Sequence, residues 1–437
     1  MLSHMGDFFG AHPWWLLSFF AIGVLATLTA IISLFMSLGR RPQRMWTDEV
    51  ATVDSPDFLR SVAALLNVPL RAGGTAHLLN NGDAWLPAMF QDFDAAERSI
   101  NIMSYIWEPG RMSDLVFDRL IDRCRAGIEV RVLLDGLGGI RCPDEDIERL
   151  RQAGGKVATF RPAQFGKLTR FHKRNHRRAI VIDGRIGYTG GMAVGDKWLG
   201  NAANENEWRD SMTRVTGCLT ENLQSAFSEL WAYCTGEVLT GDSFFPDDLA
   251  DDNLGLQSIG IVSSPSSEEH PLRLFFFLAF LAARQRLWIT TPYFVPDAHT
   301  RRIVKRRARA GVDVRILMPD AHTDAWPIRR TSHSYYRELM DAGVRIYEYR
   351  DTMMHSKHVV VDGMFSVVGS ANMDIRSKEL NEENVVALLD PVLSAELEQA
   401  FLQDLERATL IDPRAWRRRG LGARLIERFA RLFAEQY

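Results

Sequence analysis

The chain has 437 residues, 46% of them hydrophobic and 24% charged, which is a globular composition at a length that suggests two to four domains. This composition excludes a disordered chain and a fibrous repeat. Lysine and arginine total 52 against 55 aspartates and glutamates, so the net charge of -3 gives no whole-chain reason to expect a nucleic-acid partner.

The first predicted element is a transmembrane helix. Residues 14–38 carry no charge, and about 20 apolar residues suffice to cross a bilayer as a helix. A buried core helix is disfavoured because it would seldom run this long without a polar face, and a cleaved signal peptide because no basic region precedes the stretch. Arginines follow at 40, 41 and 44, so the positive-inside rule places the rest of the chain in the cytoplasm. We predict a single-pass inner-membrane anchor over residues 1–45.

The four cysteines agree with a cytoplasmic location. Cys124, Cys142, Cys218 and Cys234 have spacings that match neither a zinc site nor a small disulfide scaffold. We expect reduced, partly buried thiols and no bound metal.

The remaining chain consists of two copies of one unit. Residues 126–133, A-G-I-E-V-R-V-L, match residues 310–317, A-G-V-D-V-R-I-L, and each segment combines a helix end with a buried strand. Predicted strands also precede these helices, at 99–105 and 287–293, so strand, helix and strand recur and imply parallel pairing. The pattern predicts an α/β fold.

An acidic stretch containing proline and glycine, residues 236–256, separates the copies and indicates a linker. We therefore predict a first domain over residues 60–235 and a second over residues 257–412. The packing of two duplicated α/β units is the simplest architecture.

Each copy carries a histidine motif. The second has H-S-K-H-V-V-V-D over residues 355–362, and its apolar run predicts a strand from which His355 and Lys357 project on one face. An imidazole beside a fixed cation suits attack on a phosphate, because the ammonium holds the oxygens while the imidazole acts as nucleophile or proton donor. Asp362 has the opposite parity and precedes a glycine, which predicts a turn and an orienting role.

The first copy repeats this pattern as H-R-R-A-I-V-I-D over residues 176–183. Its equivalent residues are His176, Arg178 and Asp183. A short tail follows each motif, G-G-M-A over residues 190–193 and G-S-A-N over residues 369–372. In the second tail, Ser370 and Asn372 offer uncharged donors to the same phosphate.

The doubled H-x-K-x4-D pattern with its tail resembles the phospholipase D superfamily, from about residue 60 to the C-terminus. The segments T-T-P-Y-F-V-P-D at 290–297 and W-R-D at 208–210 resemble its bacterial cardiolipin synthase branch. The resemblance implies tandem α-β-α units with mixed or parallel sheets, related by pseudo-twofold symmetry, and catalysis without metal or cofactor. It implies that one histidine becomes a phosphohistidine while the other protonates the leaving alcohol. His176 is then the expected nucleophile and His355 the expected general acid, although the sequence alone permits the reverse.

The resemblance also assigns supporting residues. Glu383 matches the carboxylate that orients a catalytic imidazole in this family, and Asp210 is its expected first-half counterpart. Gly191 is expected beside the substrate phosphate, together with Ser370 and Asn372.

Two positions of the first copy depart from the pattern. Arg178 replaces the usual lysine, which keeps the positive charge but changes its geometry. Ala193 replaces the usual asparagine, and losing one donor at an oxyanion site costs on the order of 100-fold in rate.

Two basic segments predict contact with an anionic surface. The run before the first histidine indicates either a solvated loop or a funnel for anionic headgroups. Its members are Lys167, Arg170, Lys173, Arg174, Arg177 and Arg178. Residues 413–437 alternate arginine with leucine and phenylalanine at spacings of three and four, which predicts an amphipathic helix. This helix either docks on its own domain or lies on the anionic inner leaflet.

Together these features predict a membrane-anchored phosphatidyltransferase that resembles cardiolipin synthase and acts on anionic phospholipids, chiefly phosphatidylglycerol. One alternative is a phospholipase D that uses water as acceptor and releases phosphatidic acid. A second alternative is a catalytically silent lipid-binding homologue, motivated by Arg178 and Ala193. A nuclease is disfavoured because it gains nothing from a membrane anchor and the chain lacks overall basic charge. The second lipid and the oligomeric state stay open.

Overall fold

The computed structural model describes residues 50–162, 173–249, 256–265 and 270–436, together with residues 45–47 and scattered positions between 14 and 28. The predicted transmembrane helix therefore lies mostly outside the described residues. Within the described part of the chain, no helix combines the length and the apolar composition that a membrane span needs.

Strands alternate with helices along most of the chain. The strands are β1 (Leu70–Ala72), β2 (Ala76–Asn80), β3 (Ser99–Ser104), β4 (Glu129–Asp135), β5 (Lys156–Phe160), β6 (Ala179–Ile182), β7 (Ile186–Gly190), β8 (Ser211–Thr216), β9 (Gln257–Ser263), β10 (Arg286–Thr290), β11 (Phe294–Val295), β12 (Asp313–Pro319), β13 (Arg345–Tyr349), β14 (His358–Val361), β15 (Phe365–Gly369), β16 (Met373–Asp374), β17 (Glu383–Leu389) and β18 (Ala408–Leu410).

The helices commonly begin at a proline or after a capping side chain. For example, Asp390 accepts a hydrogen bond from the backbone N–H of Val392 at 2.9 Å and so caps the tenth helix, which starts with Pro391. The helices are α1 (Pro56–Leu66), α2 (Asn81–Asp94), α3 (Arg111–Arg125), α4 (Asp144–Gln152), α5 (Leu219–Thr235), α6 (Pro271–Ala282), α7 (Ala298–Arg309), α8 (Trp326–Met340), α9 (Ile375–Glu379), α10 (Pro391–Glu406), α11 (Pro413–Arg417) and α12 (Leu421–Ala430). Short 3-10 turns lie at Asp196–Trp198 and Arg431–Gln436.

Two sheets repeat one strand order. The first sheet runs β2-β8-β7-β6-β3-β4-β5, and the second runs β1-β9-β17-β15-β14-β10-β12-β13-β18. Without β1 and β18 at its edges, the second order matches the first strand for strand. In each sheet three strands pair in parallel, β3-β4-β5 in the first and β10-β12-β13 in the second. The strand that follows each histidine, β6 or β14, pairs antiparallel with the first strand of that group. The predicted mixed α/β fold is therefore confirmed.

Residues 56–72 join the second sheet. The apolar face of α1, with Phe58, Leu59 and Val62, is buried in the same core as α6, and β1 pairs antiparallel with β9. This differs from the predicted first domain, which starts at residue 60. The reason is that α6 is apolar on nearly all sides and requires a cover on its outer face.

The two halves share one apolar core. Helix α5 of the first half and helix α10 of the second contribute to a buried cluster that includes side chains from both sheets. Buried ion pairs also join the halves, since Arg177 contacts Glu382 at 2.8 Å and Arg209 contacts Asp404 at 2.8 Å. The interface is thus a continuous interior rather than a hinge.

The described part of the predicted linker, residues 236–249, has no helix or strand and packs on the first half. Phe244 is buried there, and Asp248 pairs with Arg185 at 2.7 Å. Residues 250–255 lie outside the described residues. The four cysteines are unpaired and at least partly buried, as predicted.

Candidate active site

The two histidine motifs meet where the halves touch. Strand β6, which follows His176, is antiparallel to β3, and strand β14, which follows His355, is antiparallel to β10. Each histidine therefore lies at the carboxyl end of the parallel strands of its own half. The backbone N–H of His176 donates to the carbonyl of Glu382 at 2.9 Å, and that of His355 donates to the carbonyl of Arg209 at 2.7 Å. Each histidine segment is therefore bonded to a backbone segment of the opposite half.

The carboxylate that contacts each imidazole also comes from the opposite half. Nδ1 of His176 lies 2.9 Å from Oε1 of Glu383, and Nδ1 of His355 lies 2.6 Å from Oδ2 of Asp210. Both histidines are buried, and the two carboxylates are completely so. A carboxylate on Nδ1 fixes the tautomer in which Nε2 carries the lone pair.

Both imidazoles are neutral near pH 7. Burial lowers the pKa of His176, and Arg178 adds to that shift while Glu383 opposes it as the strongest charge. Burial also lowers the pKa of His355, where the strongest charge is Lys357, which lowers it further against Asp210. The strongest charge acting on His176 is thus anionic, whereas the strongest charge acting on His355 is cationic.

Two cationic side chains accompany the histidines. Arg178 is 2% exposed, and its three guanidinium nitrogens make no hydrogen bond within the described chain. Nζ of Lys357 donates to the carbonyl of His355 at 2.7 Å and lies 3.2 Å from both nitrogens of that ring. Burial and the neighbouring Arg178 lower the pKa of Lys357 to about 7. Because a buried unpaired cation is costly, this arrangement favours a bound anion.

The two tails differ in what they offer. The hydroxyl of Ser370 donates to Glu383 and accepts from the backbone N–H of Asn384 at 3.0 Å, so it supports the carboxylate rather than facing a phosphate as predicted. The side-chain oxygen of Asn372 is buried and has no partner among the described residues. In the first tail, Gly191 lies against Asp210, and Ala193 is buried in an apolar cluster.

This geometry can be set beside known proteins. A family model described as "Cardiolipin synthase, PLD-like domain" matches residues 89–231 and 279–405, one match in each half. Cardiolipin synthase 1 of Bacillus cereus is 33% identical over 368 residues, which cover 82% of this chain and 72% of the relative. The chain belongs to the cardiolipin synthase branch of the phospholipase D superfamily. The predicted family and enzyme class, a phosphatidyltransferase, are thereby confirmed.

Further members of the branch give the same picture. A probable cardiolipin synthase of Bacillus subtilis is 32% identical over 373 residues, covering 85% of this chain and 74% of the relative. Among solved structures, phosphatidylserine synthase from Haemophilus influenzae superposes with a TM-score of 0.68 at 16% identity, over 86% of this chain and 98% of that chain. Polyphosphate kinase from Porphyromonas gingivalis gives 0.53 at 13% identity, over 90% and 57%. The structural likenesses concern the fold alone.

The terminal aspartates of the phospholipase D motifs lie away from the histidines. Asp183 accepts from the backbone N–H groups of residues 97–99 at 2.7 to 2.8 Å, and Asp362 accepts from those of residues 284–286 at 2.7 to 2.9 Å. Six residues lie between each aspartate and its histidine, and the seven extended steps span roughly 23 Å. The turn predicted at Asp362 is present between the antiparallel strands β14 and β15, and Asp183 has the same place between β6 and β7. These contacts do not support the direct part in catalysis that the resemblance suggests for Asp183 and Asp362. Their physical role is to hold the first turn before β3 and before β10.

The basic run before His176 does not form one exposed funnel in its described part. Arg177 is fully buried and pairs with Glu229 and Glu382, while Arg174 lies buried 3.6 Å from Asp135. Only Arg178 is directed at the histidines without a partner within the described chain. Lys167 and Arg170 lie outside the described residues.

Several residues contact the histidines or Arg178 without having been predicted to do so from the sequence. Tyr105 packs edge-on against His176 at 5.1 Å, while Trp198 and Trp208 pack on His355 at 5.7 and 5.1 Å. Nε1 of Trp198 also donates to Asp210 at 2.9 Å. Asn384 accepts from the backbone N–H of Arg178 at 2.8 Å and donates to its carbonyl at 3.1 Å. One signal was available, because Asn384 directly follows Glu383.

Proposed function

We propose that the chain transfers a phosphatidyl group between two phosphatidylglycerol molecules, forming cardiolipin and releasing glycerol. One observation carries the proposal most directly. A buried Arg178 that has no partner among the described residues and a buried Lys357 flank two carboxylate-bound imidazoles. This is an anion site with a nucleophile and a proton donor. Arg178 supplies a positive charge at the position where the motif usually has lysine. This argues against a silent lipid-binding homologue.

In the first half-reaction, Nε2 of His176 attacks the phosphorus of the donor lipid. A P–N bond forms, the bond from phosphorus to the glycerol oxygen breaks, and His355 gives its proton to that oxygen. Glu383 stabilises the positive charge that develops on His176, in the manner of other base-and-orienter pairs. Arg178 and Lys357 neutralise the non-bridging oxygens.

The charges around the histidines support this division of roles. A phosphorylated imidazole carries positive charge, which the anionic charge acting most strongly on His176 accommodates better than the cationic charge acting most strongly on His355. His355 needs a proton to act as acid. The positive charge of Lys357 lowers the pKa of His355. When the substrate phosphate pairs with Lys357, this charge is compensated, and His355 is protonated more easily.

In the second half-reaction, a hydroxyl of another phosphatidylglycerol attacks the phosphohistidine. His355 now removes the proton from the hydroxyl, the P–N bond breaks, and cardiolipin leaves. The phospholipase D alternative differs only in that water makes this attack. A lipid acceptor is supported by the high local concentration of lipid hydroxyls at a membrane surface.

The proposal includes an inner-membrane, single-pass location with both halves in the cytoplasm. Its support is the uncharged stretch 14–38 with arginines after it. Leu17, Phe20 and Leu25 within that stretch are helical, and each exposes two-thirds or more of its surface. A reporter fused after Tyr437 should give a cytoplasmic signal. A periplasmic signal would overturn this orientation.

The reaction can be tested with the purified full chain in detergent and labelled phosphatidylglycerol. We expect cardiolipin from the parent chain and from His77→Ala, an exposed histidine on β2, and no product from His176→Ala or His355→Ala. Phosphatidic acid alone would select the hydrolase. A labelled phosphatidyl group should stay covalently bound in His355→Asn and be absent in His176→Asn, and the reverse pattern would exchange the two roles.

A further inference from the structure

The C-terminal helix α12 packs on the second half with its polar face toward the protein. Its single buried residue is Glu427, whereas Leu421, Leu425 and Phe429 expose 75%, 66% and 60% of their surfaces. Leu432, in the next turn, is 67% exposed. A helix on a soluble domain normally buries its apolar stripe, so this orientation leaves a continuous apolar row facing outward.

A polar clamp fixes the helix in this orientation. Both oxygens of Glu427 pair with the guanidinium of Arg419, and Oε1 lies 3.9 Å from Nδ1 of His333 in helix α8. Arg419 in turn lies over Trp416, which stacks on Tyr336 at 4.9 Å. Because these contacts use the only acidic residue of the helix, the apolar row cannot rotate inward without breaking a buried ion pair.

Positive charge surrounds the apolar row. Residues 413–432 contain seven arginines and one glutamate, and that glutamate is the clamp. Arg418, Arg424 and Arg428 are exposed, and neither Arg418 nor Arg428 has an ion-pair partner within the described chain. Exposed leucine and phenylalanine between arginines complement a surface with anionic headgroups over an apolar interior. A second copy of this chain fits poorly, since two arginine-rich faces would meet.

The row lies near the second-half tail of the active site. The 3-10 turn Arg431–Gln436 packs against α9, which directly follows the tail containing Asn372. The loop after β4 also exposes an apolar side chain, since Ile140 is 65% exposed. That loop adjoins the site because the carbonyl of Gly138 accepts from the N–H of Trp107 at 3.4 Å, two residues beyond Tyr105.

We infer that α12, with the rim of the active site, is a docking surface for an anionic phospholipid bilayer that turns the catalytic entrance toward the lipid headgroups. The inference rests on the proposed function for its choice of lipid. It adds to that function a specific surface, separate from the predicted anchor. Docking through α12 presents donor and acceptor lipids to the histidines without extracting either lipid far from the bilayer.

A depth measurement tests the surface without relying on catalysis. The full chain, reconstituted into vesicles containing phosphatidylglycerol, would carry an environment-sensitive dye at Leu425→Cys or, as control, at Val238→Cys. Val238 is 72% exposed and lies beside Glu237, which pairs with Arg131 of β4 and with Lys156 of the edge strand β5. The parent chain, treated with the same dye, serves as a control for labelling of the four native thiols.

We expect a lipid-borne quencher to quench the dye at position 425 and to leave the dye at position 238 unaffected. Equal quenching at both positions, or none at position 425, would overturn the inference. Shielding of position 425 that needs no lipid and rises with protein concentration would indicate a second copy of the chain and would also overturn it.

An activity measurement separates docking from chemistry. The double variant Leu425→Ser and Phe429→Ser should lower turnover on vesicles by about tenfold, because two apolar anchors are lost. Its turnover of a monomeric short-chain phosphatidylglycerol should match that of the parent chain and of Val238→Ser. Undiminished vesicle turnover in the double variant would overturn the docking surface. Absence of any turnover in the parent chain would instead reject the proposed function.

Discussion

The two halves build equivalent histidine sites with different supporting residues. In the site of His176, Glu383 carries the carboxylate and Ser370 donates to it. In the site of His355, Asp210 is one methylene shorter, and a glycine, Gly191, stands where the serine would be. A Cβ atom at position 191 would lie 2.1 Å from Oδ1 of Asp210. The short acid and the glycine therefore depend on each other, and together they form a compensated pair that differs from the pair in the other half.

The halves also differ in the charges that they place at the reacting centre. The first half contributes Arg178, which has no partner in the described chain, and the second contributes Lys357, which lies against His355. In the proposed mechanism, this asymmetry suits a positive charge on His176 and proton transfer by His355. Four changes test this difference between the halves.

The largest effect is expected from Glu383→Gln. A glutamine can present its N–H₂ to Nδ1 of His176, which stabilises the tautomer with the proton on Nε2 and removes the attacking lone pair. Turnover should fall on the order of 10³- to 10⁴-fold. Asp210→Asn should also slow turnover, but it leaves the attack by His176 possible. Labelled chain denatured at alkaline pH should therefore hold covalent lipid in Asp210→Asn only.

The exposed carboxylate of Glu406, at the end of α10, provides the control for this prediction, and Glu406→Gln should be unaffected. Covalent lipid in Glu383→Gln at the level of Asp210→Asn would show that the two carboxylates are equivalent.

The second change is Gly191→Ser, which tests the compensated pair. The new side chain displaces Asp210 from its 2.6 Å contact with His355, so we expect turnover to fall by about 100-fold. Adding Asp210→Glu recreates the arrangement of the other half and should restore about tenfold of that loss. The turnover rates of the single and double variants test this dependence, and thermal stability shows whether each variant is folded. Equal rates in Gly191→Ser and the double variant would refute the dependence.

The third change is in pH, and it concerns Lys357. A bound oxyanion favours the charged lysine, whose pKa in the empty site is lowered to about 7. Below that pH the lysine is already protonated and affinity should be flat. Above it, binding requires proton uptake, so the dissociation constant of tungstate should rise by about tenfold per pH unit. Calorimetry between pH 6 and pH 9 measures this.

In Lys357→Arg the slope should vanish, because arginine stays charged throughout this range. A slope that persists in this variant would assign the proton to another group.

The smallest effect is expected from Arg178→Lys, which makes the first motif like the second. Charge is retained, and Asn384 holds the backbone of residue 178 through its N–H and carbonyl, which the substitution does not alter. We expect a loss of about 3- to 10-fold from the lost bidentate grip, against a far larger loss in Arg178→Met. Similar rates for both variants would mean that the fork of the guanidinium, rather than its charge, is essential.

Much of the fold and part of the site follow from local sequence patterns. The duplicated strand and helix signals, with apolar runs such as A-I-V-I over residues 179–182, predict the mixed α/β fold. Spacing two apart predicts that His355 and Lys357 share a face, and they do. The turn at Asp362 was predicted correctly, but strand parity gives the direction of a side chain and not its distance from the histidine, so a direct catalytic part for the aspartates did not follow. The buried state of Arg177 and the edge position of β1 depend on packing between distant segments, which no local pattern encodes.

The exchange of carboxylates between the halves has a consequence for biosynthesis. His176 and the carboxylate that orients it are 207 residues apart in the chain. At roughly 5 to 20 residues per second, a ribosome needs on the order of 10 to 40 seconds to advance from one to the other. Throughout that interval the tautomer of His176 is not fixed, so under the proposed mechanism a nascent chain does not yet react with lipid. We expect turnover during cell-free synthesis only after the second half has emerged, and turnover by chains arrested before residue 383 would contradict this timing.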